Sequence, residues 1–455
     1  MAQASRTPRI FRAARSRRRA AALVGVSVAV ALALGACGTP GGSPSAPPAT
    51  VSGDITVWHF FSDREADVIQ SAIDKFTAIH PGVHVIVQPG QDDDKMRTAI
   101  AAGDPIDVGI SYSRDQVGIL CSSGAFQDLA PYIARDKLSL ADIPPLVQDY
   151  SQFEGTRCAL PMMADVTALY YNKALFAAAG LTAPPKTLDE LSDDAVKLTT
   201  YNDDGSIKTL GFAPLTNYYE NTLQNMGVSV QAKWLNADDK TSAIGTDPGW
   251  VTLLNWQKDL ITRLGGYEKV NAWMAGLGDE FSEENDFHTG RVAMMIDGEW
   301  RTAFIADQAP KLNYGTAFLP MATGHEAAYG AGGVDGNLIG IPRGAKNPEA
   351  AWELIKFLAL DTEAQVLMGN GLRNMPTITS AAKSPALEQD ANYKTFLEAF
   401  ANPHSVTIPA SVVGTEYLDI FDTFVQGWEA GTETDLSAGL AKVDTDINAA
   451  IALGG

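Results

Sequence analysis

The sequence predicts an α/β protein with two lobes, each a sheet flanked by helices, and three observations lead to this fold class. Strand, helix, strand, helix and strand alternate between residues 53 and 110, at the spacing of right-handed βαβ units in a parallel sheet. The chain after residue 53 has about 400 residues, more than one hydrophobic core usually holds. Short apolar strands and amphipathic helices continue to alternate after residue 160. We therefore expect a second lobe built on the same plan as the first.

Residues 1–37 have the pattern of a bacterial lipoprotein signal peptide and are excluded from the fold. Arginines precede an apolar run from Ala20 to Leu34, which at about 15 residues is shorter than a bilayer-spanning helix. The Leu-Gly-Ala-Cys sequence that ends at Cys37 is similar to a lipobox, whose cysteine is lipidated. The alternative is an ordinary secretory signal with an incidental cysteine. Residues 38–53 are rich in Gly, Pro, Ser and Thr and predict a flexible tether.

The charge balance excludes two classes of partner. The chain has 34 basic and 54 acidic residues, and the segment before Cys37 contains seven arginines and no acidic residue. The remaining body therefore has 27 basic and 54 acidic residues, a net charge of −27. So acidic a body argues against nucleic-acid binding and against electrostatic adhesion to anionic lipid, both of which need basic surface.

Cys121 and Cys158 are the two cysteines that remain after Cys37. A cysteine pair in an exported protein predicts a disulfide, and the alternative is two buried thiols. Closing a loop of this length would stabilise the fold by roughly 3–4 kcal/mol in the chain-entropy model.

The first lobe is expected to begin with three parallel strands. The predicted strands are 53–58, 83–87 and 106–110, and the predicted helices between them are 62–79 and 94–102. Ser62 and Glu65 have the spacing of a capping box at the start of the first helix. Ligands bind beyond the carboxyl ends of parallel strands, and these ends carry four candidate contacts, His59, Phe60, Ser111 and Tyr112.

The stretch from 160 to 191 begins the second half of the chain. Residues 166–171 are β-branched and aromatic and predict a buried strand, followed by a short helix over 174–179. Thr187 and Glu190 predict a capping box for the next helix. Further on, the pattern predicts strands at 210–214 and within 287–300, helices at 250–264 and 347–368, and a glycine-rich loop leading into a strand over 330–342.

Motifs for catalysis and metal binding are missing from the sequence. The six histidines have no close zinc-ligand spacing, and there is no GxSxG elbow or Walker lysine motif. Ser380 and Lys383 match SxxK, but its SDN and KTG companions are absent. Carboxylate pairs suited to glycoside hydrolysis stay open, because an acidic protein offers many. We predict a protein that is not an enzyme and needs no metal or cofactor.

Several unlike signals occur in an order that resembles a known family. They are Pro161, Asp165, Tyr-Tyr-Asn-Lys ending at Lys173, Ala-Gly ending at Gly180, Pro-Pro-Lys-Thr ending at Thr187, a strand running into Gly298-Glu299-Trp300, and an Asn-Pro helix start at Asn347. This order resembles the extracellular solute-binding proteins of carbohydrate ABC transporters, the family of maltose-binding protein. The resemblance implies a type II periplasmic-binding-protein-like fold. Its lobes would comprise 54–162 plus about 333–373 and about 163–332 plus 374–455, joined by hinge crossings.

The resemblance also implies ligand contacts. Asp165 matches an acidic contact and Trp300 a tryptophan that stacks on sugar; the alternatives are a hinge-stabilising aspartate and a core tryptophan. Further candidates, placed by loop or hinge position, are Tyr218, Glu220, Gly333, Asp335 and Arg373. Around the third strand this chain lacks the Trp and Asp of maltose-binding protein, so maltose itself is not predicted.

The predicted function is that of a substrate-binding lipoprotein of an ABC importer. It would capture a sugar or oligosaccharide between its lobes as a monomer, anchored to the outer face of the cytoplasmic membrane, and deliver it to the permease subunits. One alternative is a binding protein for glycerol-phosphate or another polyol derivative, with Arg373 serving the phosphate. Two further alternatives are a secreted glycoside hydrolase and a structural or adhesion lipoprotein.

Overall fold

The computed structural model describes residues 50–237, 240–388 and 390–454. Cys37, the predicted signal peptide and most of the predicted tether lie outside the described residues. Within the described ranges, no helix combines the length and the apolar character that crossing a bilayer requires.

The amino-terminal elements follow the predicted order closely. They are β1 Gly53–His59, α1 Asp63–Ile79, β2 Val83–Gln88, α2 Asp93–Ala102, β3 Val108–Ser111, α3 Val117–Ser122, α4 Ala130–Asp136 and α5 Pro145–Tyr150. Strand β1 pairs in parallel with both β2 and β3, which confirms the predicted βαβ units. The capping box at Ser62 does not form: the Ser62 Oγ donates to Asp63 Oδ2 at 3.2 Å, and Glu65 lies 3.5 Å from Arg64.

The middle of the chain is organised around a strand of 13 residues, β4 Leu160–Asn172. It is followed by α6 Lys173–Ala178, α7 Leu188–Leu198, β5 Thr200–Tyr201, β6 Ile207–Phe212, α8 Leu223–Met226, α9 Pro248–Arg263, α10 Tyr267–Met274, β7 Val292–Gly298, α11 Arg301–Gln308, β8 Tyr314–Ala317 and β9 Val334–Gly340. The predicted capping box of Thr187 and Glu190 is present and starts α7.

The carboxyl-terminal part is mainly helical. Its elements are α12 Pro348–Leu360, α13 Thr362–Leu372, β10 Met375–Pro376, α14 Thr379–Ala382, α15 Ala391–Phe400, α16 Glu416–Ala430 and α17 Leu436–Gly454. The single helix predicted over 347–368 is wrong, because Asp361 is extended and ends α12. Its side chain then accepts a hydrogen bond from the Ala364 N–H and starts α13.

The strands form one mixed sheet in the order β2-β1-β3-β9-β4-β7-β6-β5, with β8 and β10 also paired to β4. The first half of β4 pairs antiparallel with β9, and its second half pairs antiparallel with β7 and β8. The sheet is therefore parallel among β1–β3, as predicted, and antiparallel at its centre. The α/β class is confirmed. The predicted lobe boundaries fall in or beside β4, β9 and β10, and they stay predictions.

Cys121 and Cys158 form the predicted disulfide, with their Cα atoms 5.3 Å apart. The bond joins α3 to the residues just before β4. It therefore ties a helix beyond the end of β3 to the start of the central strand.

Candidate functional site

A cavity of about 600 Å³ lies where the two halves of β4 meet. Trp300 lines it together with residues of five stretches, 112–115, 165–167, 219–235, 333–335 and 406–409. The first stretch follows β3 and the fourth begins β9, so strand ends of the sheet supply part of the wall. This volume is in the range of small-molecule sites.

Two aspartates face each other on the sheet at this cavity. Asp165 of β4 and Asp335 of β9 are direct cross-strand partners. Asp335 accepts hydrogen bonds from the Gly336 N–H at 2.7 Å and from Ser113 Oγ and the Arg114 N–H, both at 3.2 Å. Asp165 accepts one from the Asn374 side chain, just after α13. Both carboxylates are thus held in position by the segments that flank the cavity.

Burial and repulsion raise the pKa values of two carboxyl groups here, those of Asp165 and Glu299. The pKa of Asp165 is raised to about 7, mainly by burial and then by the charge of Asp335. The pKa of the fully buried Glu299 is raised well above its usual range by burial and by Asp165. One oxygen of Glu299 accepts from the Val166 N–H at 2.9 Å, which holds it beside β4. Near neutral pH, Asp165 and Glu299 therefore retain protons that exposed carboxylates would release.

Arg114 is a buried cation of the cavity wall that is occupied by protein partners. Its guanidinium lies 2.9 Å from Asp115, donates to the Val334 carbonyl at 3.2 Å, and also donates to the Ile408 carbonyl. Burial raises the pKa of Asp115 to about 6, and Arg114 opposes that rise. These contacts tie the turn after β3 to β9 and to the 406–409 stretch.

The second wall depends on an unusual backbone conformation at Tyr219. Its φ of 41° is in the left-handed region, which non-glycine residues seldom occupy. Tyr218 is fully buried, whereas Tyr219 and Glu220 line the cavity. The Tyr219 hydroxyl donates to Asp286 at 2.9 Å, and Glu220 accepts from Asn225 at 2.7 Å. Burial, and then the charge of Asp297, raises the pKa of Glu220 to about 7.

Trp300 enters the cavity because Gly298 has no side chain. A β-carbon at position 298 would lie 2.0 Å from the indole ring, so the ring rests on the backbone of the residue that ends β7. Trp300 is only partly buried and lines the cavity. A glycine at position 298 is therefore required for the indole ring of Trp300 to lie where it does.

The structure brings six of the eleven predicted contacts to this cavity: Tyr112, Asp165, Glu220, Trp300, Gly333 and Asp335. The other five are not among the residues that line it: His59, Phe60, Ser111, Tyr218 and Arg373. All eleven stay predictions as ligand contacts.

Three of those five contact neighbouring side chains, and a fourth, His59, is buried. The Ser111 hydroxyl donates to Asp93 at 2.8 Å, and Phe60 packs on Phe61 with ring centroids 4.0 Å apart. His59 is fully buried, and burial lowers its pKa to about 4, so it is neutral at physiological pH. The Arg373 guanidinium pairs with two carboxylates of the segment before α15, Glu388 at 2.8 Å and Asp390 at 3.4 Å.

Several lining residues were not predicted. Thr167 lies two residues after Asp165 on β4, so strand alternation places both on one face of the sheet and is a signal that identifies Thr167 from the sequence. Tyr219 lies between the predicted residues Tyr218 and Glu220, and Arg114 and Asp115 lie two and three residues after the predicted Tyr112. Trp234 is buried, lies outside the helices and lines the cavity.

Known proteins resemble the chain over most of its length. The family model described as "Bacterial extracellular solute-binding protein" matches residues 62–365. A maltotriose-binding protein of Pyrococcus abyssi is 26% identical over 79% of this chain and 74% of its own. A maltooligosaccharide ABC transporter solute-binding lipoprotein of Streptococcus pneumoniae is 26% identical over 84% of this chain and 86% of its own.

Solved structures share the fold. CpMnBP1 with mannotriose bound has a TM-score of 0.77 and 26% identity, covering 87% of this chain and 99% of its own. The ABC substrate-binding protein Lmo0181 of Listeria monocytogenes, in complex with cycloalternan, has a TM-score of 0.73 at 21% identity, covering 88% of this chain and 99% of its own.

Proposed function

We propose that this chain, which belongs to the bacterial extracellular solute-binding proteins, captures a sugar or oligosaccharide in the 600 Å³ cavity and delivers it to an ABC permease. The observation that carries the proposal is the composition of the cavity wall. Aromatic side chains, Tyr112, Tyr219 and Trp300, line the same space as the carboxylates Asp165 and Asp335. Relatives named for maltotriose and maltooligosaccharides support the substrate class.

The chemistry of this wall fits a carbohydrate. A sugar ring has flat C–H faces, which pack on aromatic rings, and hydroxyl groups at its edges, which donate to carboxylates. Trp300 follows β7, the strand that pairs with the second half of β4, and provides an aromatic ring there. Asp165 lies in the first half of β4 and provides a hydrogen-bond acceptor. A ligand that touches both is held by residues on either side of the predicted hinge. Such contacts favour the closed arrangement of the lobes and shift the population toward it.

The proposed setting is the outer face of the cytoplasmic membrane. Lipidation at Cys37 and the tether over 38–53 would hold the monomeric body near the permease subunits, and the Streptococcus pneumoniae relative is named a lipoprotein. The family is one of binding proteins, and we propose that the chain has no enzymatic turnover of its own.

The polyol-phosphate alternative has less support. Arg373, the residue expected to serve a phosphate, is paired with Glu388 and Asp390 and does not line the cavity. A phosphate would also have to approach the paired carboxylates Asp165 and Asp335, where like charges repel.

The test is a thermal-shift screen of the chain from Cys37 onward against neutral malto- and manno-oligosaccharides, with glycerol-3-phosphate alongside. A ligand at 1,000 times its Kd raises the free energy of unfolding by about 4 kcal/mol, so a true substrate gives a clear rise in Tm. Hits are confirmed by calorimetric titration and checked for unchanged sugar by chromatography. Stabilisation by glycerol-3-phosphate alone, or release of shorter sugars, would contradict the proposal.

A further inference from the structure

The cross-strand pair of Asp165 and Asp335 sets two like charges directly opposite each other at the cavity. Carboxylates in opposed positions on neighbouring strands repel and destabilise the sheet. The strand register holds the two aspartates opposite each other despite this repulsion, because the residues on either side are also paired, Ala164 with Gly336 and Val166 with Val334. A positive group placed between the two aspartates would remove this repulsion.

The protein provides little positive charge at this point. Among the described residues, four carboxylates line the cavity, those of Asp115, Asp165, Glu220 and Asp335, against two cations, Arg114 and Lys233. Lys233 is exposed, and the Arg114 guanidinium, whose Nε lies 3.4 Å from Asp335, also pairs with Asp115. The groups that act on Asp165 from the packed elements are acidic or neutral: Asp335 of β9, Glu299 after β7, Glu65 of α1, Tyr150 of α5 and Asn374 before β10.

An independent observation points to a ligand at the same place. Thr167 is 7% exposed and lines the cavity, and its hydroxyl has no hydrogen-bond partner among the described residues. A buried hydroxyl without a partner is costly, so an incoming polar group is expected to satisfy it. Thr167 and Asp165 lie two residues apart on β4 and therefore on one face of the sheet.

We propose that the ligand is an amino sugar, or a sugar derivative with a protonated amine, whose ammonium group lies between Asp165 and Asp335 and within reach of Thr167. This inference rests on the proposed function and specifies its substrate class. An ammonium group carries three donors, which match two carboxylates and one hydroxyl. Hydrogen bonds between charged partners are shorter and stronger than neutral ones, and the low local dielectric increases the attraction.

Proton release provides a second signature. Because the pKa of Asp165 is raised to about 7, this carboxyl is partly protonated at neutral pH. A cation bound beside it favours the ionised form, so binding should expel part of a proton. A neutral sugar at the same place carries no charge and should leave the proton on Asp165.

The experiment is calorimetric titration at pH 6, where the ligand amines are already largely protonated and take up few protons on binding, with the disaccharide and trisaccharide of glucosamine, their N-acetylated forms and the matching glucose oligomers. Each is measured in two buffers of different ionisation enthalpy, which reports proton release. We expect the amine-bearing oligomer to bind at least about tenfold more tightly than its neutral counterparts. One additional charge-assisted hydrogen bond is enough to produce a difference in affinity of this size. In Asp335→Asn and Asp165→Asn this preference should fall below about threefold. Asp74→Asn, an exposed carboxylate of α1, is the control and should keep it.

The outcomes separate the two proposals. Neutral oligomers that bind as tightly as the amine-bearing ones would overturn the amino-sugar inference and leave the sugar-binding proposal intact. An amine preference that both aspartate variants retain would also overturn it. If the oligosaccharide screen and these oligomers all fail to bind, the proposed function itself fails. Proton release with the amine-bearing oligomer only, together with loss of preference in either variant, supports the inference.

Discussion

A β-carbon at Gly333 would lie 3.8 Å from the Thr167 Oγ1, an ordinary van der Waals distance across the cavity. The backbone of Gly333 is outside the left-handed region, so this position tolerates a side chain without strain. A methyl group can therefore be added to the wall of the cavity without disturbing the protein around it.

Gly333→Ala should fold with an unchanged Tm and bind its sugar more weakly. The methyl occupies space that the ligand needs, and overpacking of this kind costs about 1–3 kcal/mol. Melting curves without ligand, beside calorimetric titration, measure both effects. Gly276→Ala is the control on an exposed turn, where the added carbon lies 3.3 Å from the Arg291 Nη2 and 3.8 Å from the Trp273 carbonyl oxygen. Wild-type affinity in Gly333→Ala would remove Gly333 from the binding site.

Trp300→Ala should cost about 2–4 kcal/mol of sugar binding, the range of a central aromatic contact. The residue is partly exposed, so the ligand-free protein should lose little stability. If Trp300 were a core residue instead, the ligand-free protein would lose about 3–5 kcal/mol. Calorimetric titration and denaturant unfolding of the same variant decide between the two roles.

Asp165→Asn should become more stable relative to the wild type as the pH rises from about 4 to 7. The folded-state pKa of Asp165 is raised from 3.8 to about 7, so the folded protein holds a proton that the unfolded chain has released. Its stabilising effect is full below the unfolded pKa and is lost as the pH rises through the folded one. Asparagine does not titrate and lacks this loss. Urea unfolding of both proteins from pH 4 to 8 measures the difference, and a pH-independent gap would contradict the raised pKa.

Cys121→Ser with Cys158→Ser should lower the free energy of unfolding by about 3–4 kcal/mol, because the unfolded chain regains the freedom of an open loop. Reduction of the wild type should produce the same decrease, and reduction of the double variant none. Two free thiols in the unfolded, unreduced wild type would show that the bond is absent.

Cys37→Ala should abolish lipidation and release the protein from membranes, or leave its signal peptide uncleaved. Detergent-phase partitioning and mass measurement of the exported chain test this. A variant that stays in the detergent phase with a processed amino terminus would contradict the lipoprotein assignment.

Short-range signals predicted much of the fold because their physics is local. The capping box at Thr187 needs only the next three residues, and the βαβ order of β1 to β3 follows from alternation and helical spacing. The capping box predicted at Ser62 does not form. A capping box depends on local sequence only when its side chains are free to turn back on the helix start, and Glu65 is instead partly buried by tertiary packing, which raises its pKa. The helix predicted over 347–368 failed because Asp361 caps a new helix rather than continuing the old one.

Motifs of a few neighbouring residues were enough to predict the α/β class, the family resemblance and six residues of the cavity wall. The pairing of Asp165 with Asp335 could not be predicted in this way, because it joins strands about 170 residues apart in the chain. The folded structure was also needed to see which tyrosine reaches the cavity. The backbone of Tyr219 is left-handed, and Tyr219 lines the cavity while Tyr218 is buried in the core. Such a conformation is stabilised by its surroundings rather than by the residue's own preference, and so the sequence carries no local sign of it.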